Sequence, residues 1–291
     1  MKYHVLYNPV CYYGKGAEEA QKINEHLASD DLTFYDMTKI NDYPALLSGF
    51  AEDSGVIICG GDGTLNRFIN DKGDYEIKQQ VYYYAIGSGT DFMTDIGGKR
   101  MDPPVNITKY LRDLPVATVD GKDYFFLNNV GFGLDGYCSG EAERMLSKGA
   151  TEINFAKIAI GGLFGRFKPS CATISVSGNT RTFKRVYIAT TMHGRYYGGG
   201  MLPTPNQDRL NRNHNVSTIL MYGCGPLSVL FTFPAFFKGT HLKKARICKV
   251  YSGYDVNVIF DKPCEIQIDG EYLGKVSEYH VRTSKRQQEE D

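Results

Sequence analysis

Over the first 120 residues, short apolar runs alternate with helix-like stretches: Tyr3 to Tyr7, Glu18 to Leu27, Val56 to Cys59, Leu65 to Ile69 and Tyr82 to Ile86. This rhythm predicts βαβ units and therefore a parallel sheet covered on both faces. The run VIIC at 56–59 is apolar at every position, as a strand buried on both sides requires. Ligands of such sheets sit at the C-terminal ends of the strands. After Val119 the texture changes to short β-rich segments, YFFLNNVGF, ATISVS, TFKRVYIATT, VSTILMY, DVNVIF and CEIQIDG, separated by Gly, Pro, Asn and Asp. These predict a mostly antiparallel second domain, interrupted by a helical stretch at Glu141 to Lys148 and by apolar segments at Ile153 to Phe167 and Pro226 to Phe237. The tail KRQQEED reads as frayed, and no internal repeat is present.

Composition narrows the class further. Of the 291 residues, 42% are apolar and 23% charged, with 32 Gly and 11 Pro, which excludes disordered, collagenous and fibrous chains. Seven cysteines, none two residues from another, argue against a disulfide framework or a zinc knuckle and favour a reducing compartment. The six histidines show no pair at metal spacing and no Ser/His arrangement, so they read as structural or solvated. The start MKYHVLYNPV has no basic region followed by a long apolar stretch, and no uncharged apolar run reaches the roughly 18 residues of a membrane span. A cytoplasmic protein is expected. The formal net charge of +0 hides a strong segregation: Ile153 to Tyr254 carries fourteen Lys and Arg against a single acid, Asp208. The remainder has 19 basic and 32 acidic residues.

The densest chemistry lies in VIICGGDGTLNRFI, residues 56–69, a strand followed by Gly60, Gly61, Asp62, Gly63 and Thr64 and then a helical run. It has the form of a phosphate loop. The glycines are expected to adopt backbone angles closed to other residues and to bring main-chain N–H groups to phosphate oxygens, while Thr64 caps the helix. Asp62 is placed to hold magnesium or to orient a hydroxyl. The loop is neither a Walker motif, lacking G-K-[ST], nor the G-x-G-x-x-G dinucleotide fingerprint.

GGDGTLN resembles the signature loop of the diacylglycerol kinase and sphingosine kinase catalytic domain, shared more loosely with NAD kinases and phosphofructokinases. Asn8-Pro9 followed by Gly14-Lys15-Gly16 resembles the opening of that lipid kinase family, and IGSGTDF at 86–92 resembles its second loop. Further on, NNVGFGLDG at 128–136, YGGGM at 197–201 and IDGE at 268–271 are similar to its later motifs, in the same order. The resemblance implies an α/β domain of NAD kinase/phosphofructokinase type over 1–119, a β-sandwich substrate domain over 120–275, and a tail from about 276 to 291 returning to the first domain. It also implies ATP as phosphoryl donor with magnesium. Thr38, Gly60, Gly61, Asp62, Gly63, Thr64, Leu65, Asn66 and Ser88 become the nucleotide contacts, and Glu271 the base that deprotonates the acceptor hydroxyl. Asp135 and Asp62 complete a carboxylate and metal network. Taken alone, the Asp269-Gly270 pair between apolar runs is an ordinary hairpin turn.

The chain departs from the family pattern at three positions of the second loop, where Ala85, Ser88 and Thr90 stand for proline, threonine and asparagine. It also carries Asn213 and Asn215 where relatives place an Asp-Gly pair that holds a structural magnesium, and a divalent cation favours charged oxygen ligands. INFAKIAIGGLFGRFKP and PLSVLFTFPAFFKGTHLKKARICK each run from apolar to basic, a pattern suited to a membrane surface with anionic phospholipid headgroups, although buried helices with solvated ends share it. No nucleic-acid module is recognisable, and a homodimer is left open. The expectation is an ATP-dependent lipid kinase, peripherally membrane-associated and acting on diacylglycerol or a related lipid. A lipid-binding pseudokinase and a soluble NAD-kinase-like enzyme are the competing readings.

Overall fold

Strand β1 (Lys2–Tyr7) buries Val5 and Leu6 completely, and β3 (Gly55–Gly60) is buried at all six positions, so both belong in the middle of a sheet. The computed structural model, which describes residues 1–28, 31–150 and 152–283, places them there. The chain divides into two units, Met1–Arg112 and Asp113–Asp291. The first unit has a five-stranded sheet in the order β2-β1-β3-β4-β5, with β2 (Asp31–Asp36), β4 (Gln80–Ala85) and β5 (Val105–Asn106). Strands β1 to β4 are parallel, and β5 runs antiparallel to β4. Helices α1 (Cys11–Gly14), α2 (Gly16–Gln21), α3 (Tyr43–Ser48), α4 (Asp62–Asp71) and α5 (Asp91–Asp95) form the connections. Helix α3 begins where the Asp42 carboxylate accepts the Ala45 N–H at 2.9 Å, with Pro44 in its first turn. Ala20 and Ile23 pack on Val5, Ile57, Cys59, Tyr84 and Ile86. The chain leaving β1 turns to β2 on one side, and β3 lies on the other, so the switch point of the sheet falls between the C-terminal ends of β1 and β3.

The second unit contains β6 (Val116–Val119), β7 (Lys122–Phe125), β8 (Asn129–Gly133), β9 (Ser170–Val176), β10 (Asn179–Met192), β11 (Val216–Tyr222), β12 (Cys248–Gly253), β13 (Asp255–Ile268) and β14 (Glu271–Arg282). Its helices are α6 (Leu134–Leu146), α7 (Phe155–Phe164) and α8 (Pro226–Phe237). The strand order is β12-β11-β10-β8-β13-β14-β6-β7, with β9 paired to both β10 and β13, and every pairing is antiparallel. Because β9 bridges the far halves of the long strands β10 and β13, the sheet folds back on itself. Phe132, Phe260, Tyr279 and aliphatic residues of β6, β9, β10 and β11 fill the interior. The helices cover the outer face, burying Tyr137, Leu163, Val229 and Phe236 against Tyr187, Ile188, Ile219 and Met221.

Two expected boundaries move. Strand β6, expected within the first domain, pairs with β14 in the second sheet, Ala117 opposite Val281. Residues 276–282 likewise stay in that sheet, because Val276, Tyr279 and Val281 are core side chains of the second unit. Residues 284–291, which include the tail expected to fray, lie outside the described residues.

Candidate active site

In the first unit the GGDGT loop, the second loop and the opening Asn-Pro segment are built against one another. Asn8 follows β1, its N–H donates to Cys59 O at 3.2 Å, and its Nδ2 donates to Thr64 Oγ1 at 3.0 Å. Thr64 is therefore not the cap it was expected to be: α4 begins at Asp62 with Gly61 as its capping residue, and Thr64 sits one turn in. Gly60 and Gly61 are needed for close approach rather than unusual angles, and neither they nor Gly63 have a positive φ. A Cβ on Gly60 would meet the Thr64 side chain at 2.3 Å, and one on Gly61 would meet Gly89 O at 2.9 Å. Gly87 faces Gly61 backbone to backbone. Gly16 is similarly confined, its missing Cβ falling 1.9 Å from Asn8 O, which accounts for the second glycine of the opening motif.

Asp62 locks this arrangement. Its N–H donates to Gly89 O at 3.0 Å, and its buried carboxylate accepts the Asp91 N–H at 2.7 Å and the Phe92 N–H at 3.3 Å, at the start of α5. The expected metal or hydroxyl ligand thus fastens the two loops together. Ser88 is exposed on the second loop, whereas Leu65 and Asn66 are buried in α4. Thr38 lies in the turn after β2, its hydroxyl and N–H both donating to Asp36 Oδ1 at 2.6 and 2.9 Å. These bonds hold the Asp36 carboxyl below its usual range. A groove of about 560 Å³ beside this turn is lined by Tyr7, Phe34, Tyr35, Asp36, Ile40 and Leu46, among others.

The second unit brings Asp135 and the Asp269–Glu271 turn together. Asp135 opens α6 directly after β8, reached through Gly133 at a φ of 105°. Thr190 Oγ1 donates to its Oδ2 at 2.5 Å, the Gly136 N–H to its Oδ1 at 2.9 Å, and Gln267 Nε2 to its Oδ2 at 3.4 Å. Burial pushes the Asp135 carboxyl up to about 6, against the pull of these donors. Gly131 has no alternative here, as a Cβ would fall 2.5 Å from Asp135 Oδ2. Gln267 also accepts the Gly270 N–H at 2.7 Å, and so joins Asp135 to the turn. Asp269 and Gly270, at φ 48° and 92°, form a two-residue hairpin turn between β13 and β14 with Ile268 paired to Glu271. The Asp269 carboxylate accepts the N–H groups of Leu127, Asn128 and Asn129 at 2.7 to 2.8 Å. Its work is to hold the entry to β8, while Glu271 is exposed at the first position of β14.

Two family models cover most of the chain. Residues 2–120 match the diacylglycerol kinase catalytic domain, and residues 128–283 match the YegS C-terminal NAD kinase beta sandwich-like domain. The chain belongs to the diacylglycerol kinase/YegS-like lipid kinase family. A crystal structure of a diacylglycerol kinase from Bacillus anthracis str. Sterne is 16% identical, with a TM-score of 0.61 over 97% of this chain and 93% of that one. Two further structures from that strain carry the same name provisionally. They are 17% and 18% identical, with TM-scores of 0.67 and 0.65, each over 98% of this chain and over 93% and 94% of theirs. At these identities the likeness is one of fold. No curated protein matches the sequence.

The family's structural magnesium does not fit this member. In the loop holding Asn213 and Asn215, the groups that converge are amide donors: Gln207 Nε2 and Asn211 Nδ2 both bond Asn215 O, at 2.8 and 2.9 Å, and Asn211 Nδ2 also bonds Asp208 O at 2.7 Å. Asn211 Oδ1 takes the Asn215 N–H at 2.8 Å, and the Asp208 carboxylate takes the Leu210 N–H. Carbonyls that a cation would need are capped by N–H groups, and no group of three His, Cys, Asp or Glu side chains suited to a metal occurs among the described residues. Amides close this loop. Arg100, Thr190 and Gln267 carry much of the site's geometry in this lipid kinase relative and were not singled out from sequence, and Asn8 was marked only as part of the opening motif. Arg100 bonds Ile86 O at 3.2 Å and the buried Glu19 at 2.7 Å, bracing the second loop from a position outside any motif.

Proposed function

We propose that the protein is an ATP-dependent lipid kinase that phosphorylates a hydroxyl of diacylglycerol or a related membrane lipid. The observation that carries this reading is the turn Asp269–Glu271, which Asp269 fixes to the N–H groups of Leu127, Asn128 and Asn129 and Gln267 to that of Gly270, with Glu271 at an exposed position. A carboxylate so placed suits a general base. Glu271 takes the acceptor proton, the acceptor oxygen bonds the γ-phosphorus, and the bond to the β,γ-bridging oxygen breaks with its electron pair leaving on ADP. Magnesium bound with the nucleotide supplies neutralisation of phosphate charge. In the first unit, the glycine loops after β3 and β4 leave room for a phosphate to approach the backbone, and the groove beside Thr38 and Asp36 suits a nucleoside. Asp135 supports the turn through Gln267.

The test is transfer of label from γ-labelled ATP in the presence of magnesium to diacylglycerol, ceramide, sphingosine or undecaprenol presented in mixed micelles. The wild type should label a lipid, and Glu271→Gln should lose roughly a hundredfold or more of that rate. Equal labelling by the variant would remove Glu271 from the reaction. The amide-closed loop favours a second reading, a non-catalytic lipid-binding relative, which predicts lipid binding without transfer.

A further inference from the structure

Helices α7 and α8 have two apolar faces each. One face of each is spent on the fold: Ala159, Gly162 and Leu163 on α7, and Val229, Thr232 and Phe236 on α8, at helical spacing against the second sheet. The opposite faces carry Ile160 and Phe164 on α7, and Leu227 and Phe231 on α8, with Phe155 and Phe237 exposed at the helix ends. Phe164 is 56% exposed and Phe231 73%. The 160/164 and 227/231 pairs are each four residues apart, hence stacked on one stripe, and α7 and α8 are packed against each other. A helix apolar all round is found buried or in lipid, and adjoining exposed stripes of this kind mark a docking surface.

Charge and length choose the partner. Exposed cations flank the stripes, Lys157, Arg166 and Lys168 about α7, and Lys238, Lys243 and Arg246 after α8. The span from Ile153 to Tyr254 contains one acid against fourteen basic residues. Phenylalanines framed by lysine and arginine match an acyl boundary under anionic headgroups, and a neutral apolar partner protein would leave that charge unanswered. Spanning is not available: the helices are 10 and 12 residues long, and no helix among the described residues is long and apolar enough to cross a bilayer.

We infer that the outward faces of α7 and α8 form an interfacial docking surface for an anionic bilayer, with Phe164 and Phe231 entering the lipid and the flanking Lys and Arg engaging the headgroups. The inference deepens the lipid kinase reading and rests on it for the choice of a bilayer. The experiment is co-sedimentation of the full chain, without nucleotide, with phosphatidylcholine vesicles containing or lacking phosphatidylserine. Wild type should bind the anionic vesicles, release as salt is raised, and bind the neutral ones weakly. Phe164→Ser with Phe231→Ser should weaken binding roughly a hundredfold, about tenfold per ring, with an unchanged melting temperature because both rings are exposed. Binding of that double variant at wild-type strength overturns the inference, as does wild-type protein that ignores both vesicles or that uses these faces only to pair with a second copy. Vesicle binding requires no turnover, and the micelle assay requires no docking, so failure of one leaves the other standing.

Discussion

Gly87 offers a severe test of how the two glycine loops are built. Its absent Cβ would fall 2.4 Å from Gly61 Cα and 2.6 Å from Gly61 N, both backbone atoms that cannot rotate away. Carbon atoms rest about 3.5–4.0 Å apart, so Gly87→Ala requires the two loops to separate by roughly 1 Å. The bonds joining them, Ile86 and Gly87 N–H to Gly60 O at 3.0 and 3.1 Å and Asp62 N–H to Gly89 O at 3.0 Å, have no slack for that. Overpacking alone costs about 1–3 kcal/mol, and losing one of these bonds adds about 1. A total of about 2–4 kcal/mol should lower the melting temperature by roughly 5–10 °C. Gly89→Ala is the matched control: its Cβ meets nothing within 4 Å and its φ is not in the left-handed region, so stability should stay within about 0.5 kcal/mol. Calorimetry with ATP titration reads both variants. If Gly87→Ala melts with wild type, or Gly89→Ala falls as far, the backbone packing of the loops is not what confines these glycines.

Two further predictions concern the second unit. The Asp135 carboxyl is raised from 3.8 to about 6 by folding, so whatever it adds to stability is complete below the lower value and is lost as pH climbs through the higher one. Asp135→Asn should therefore gain up to about 3 kcal/mol over wild type at pH 8, less the bonds that Oδ2 accepts from Thr190 and Gln267 and an amide NH2 cannot, and gain almost nothing at pH 4. Urea titrations at the two pH values decide it, and equal effects at both would contradict the assigned cause. In the amide-closed loop, removing divalent cations with a chelator should leave thermal unfolding unchanged, while Asn211→Ala, which strips a donor from Asp208 O and Asn215 O, should lose roughly 1–3 kcal/mol. A chelator-sensitive melting curve would show a cation where the amides were placed.

Much of the architecture was legible because burial writes itself into periodicity. The apolar run at 56–59 became the fully buried β3, VSTILMY became β11, and Pro226 to Phe237 became α8 with the same limits. Strand β2 escaped notice because it is an edge strand, half-exposed along its length, and so lacks a clean alternation. DVNVIF and CEIQIDG looked like two strands, yet a register shift between Ile259 and Cys264 carries one strand, β13, through the interruption.

The site divides the same way. The glycine loop stood out by its residue types, because close backbone approach demands glycine, whereas Asp135 and the Asp269–Glu271 turn were identified by the order of motifs that resembles the lipid kinase family. What each group does was decided by partners far away in sequence. Asp62 is fastened 29 residues on, Thr64 is held from 56 residues before, and the Asp269 carboxylate closes on backbone about 140 residues upstream. Gln267 and Thr190 sit in no loop signature and matter only because antiparallel pairing sets their strands beside β8 and Asp135. A carboxylate's identity is local, but its charge, donors and burial are properties of the surfaces that folding brings against it. For that reason the sequence by itself named the kind of fold and the acids in it, and the tertiary structure alone assigned Asp62 and Asp269 to holding backbone and left Glu271 facing solvent.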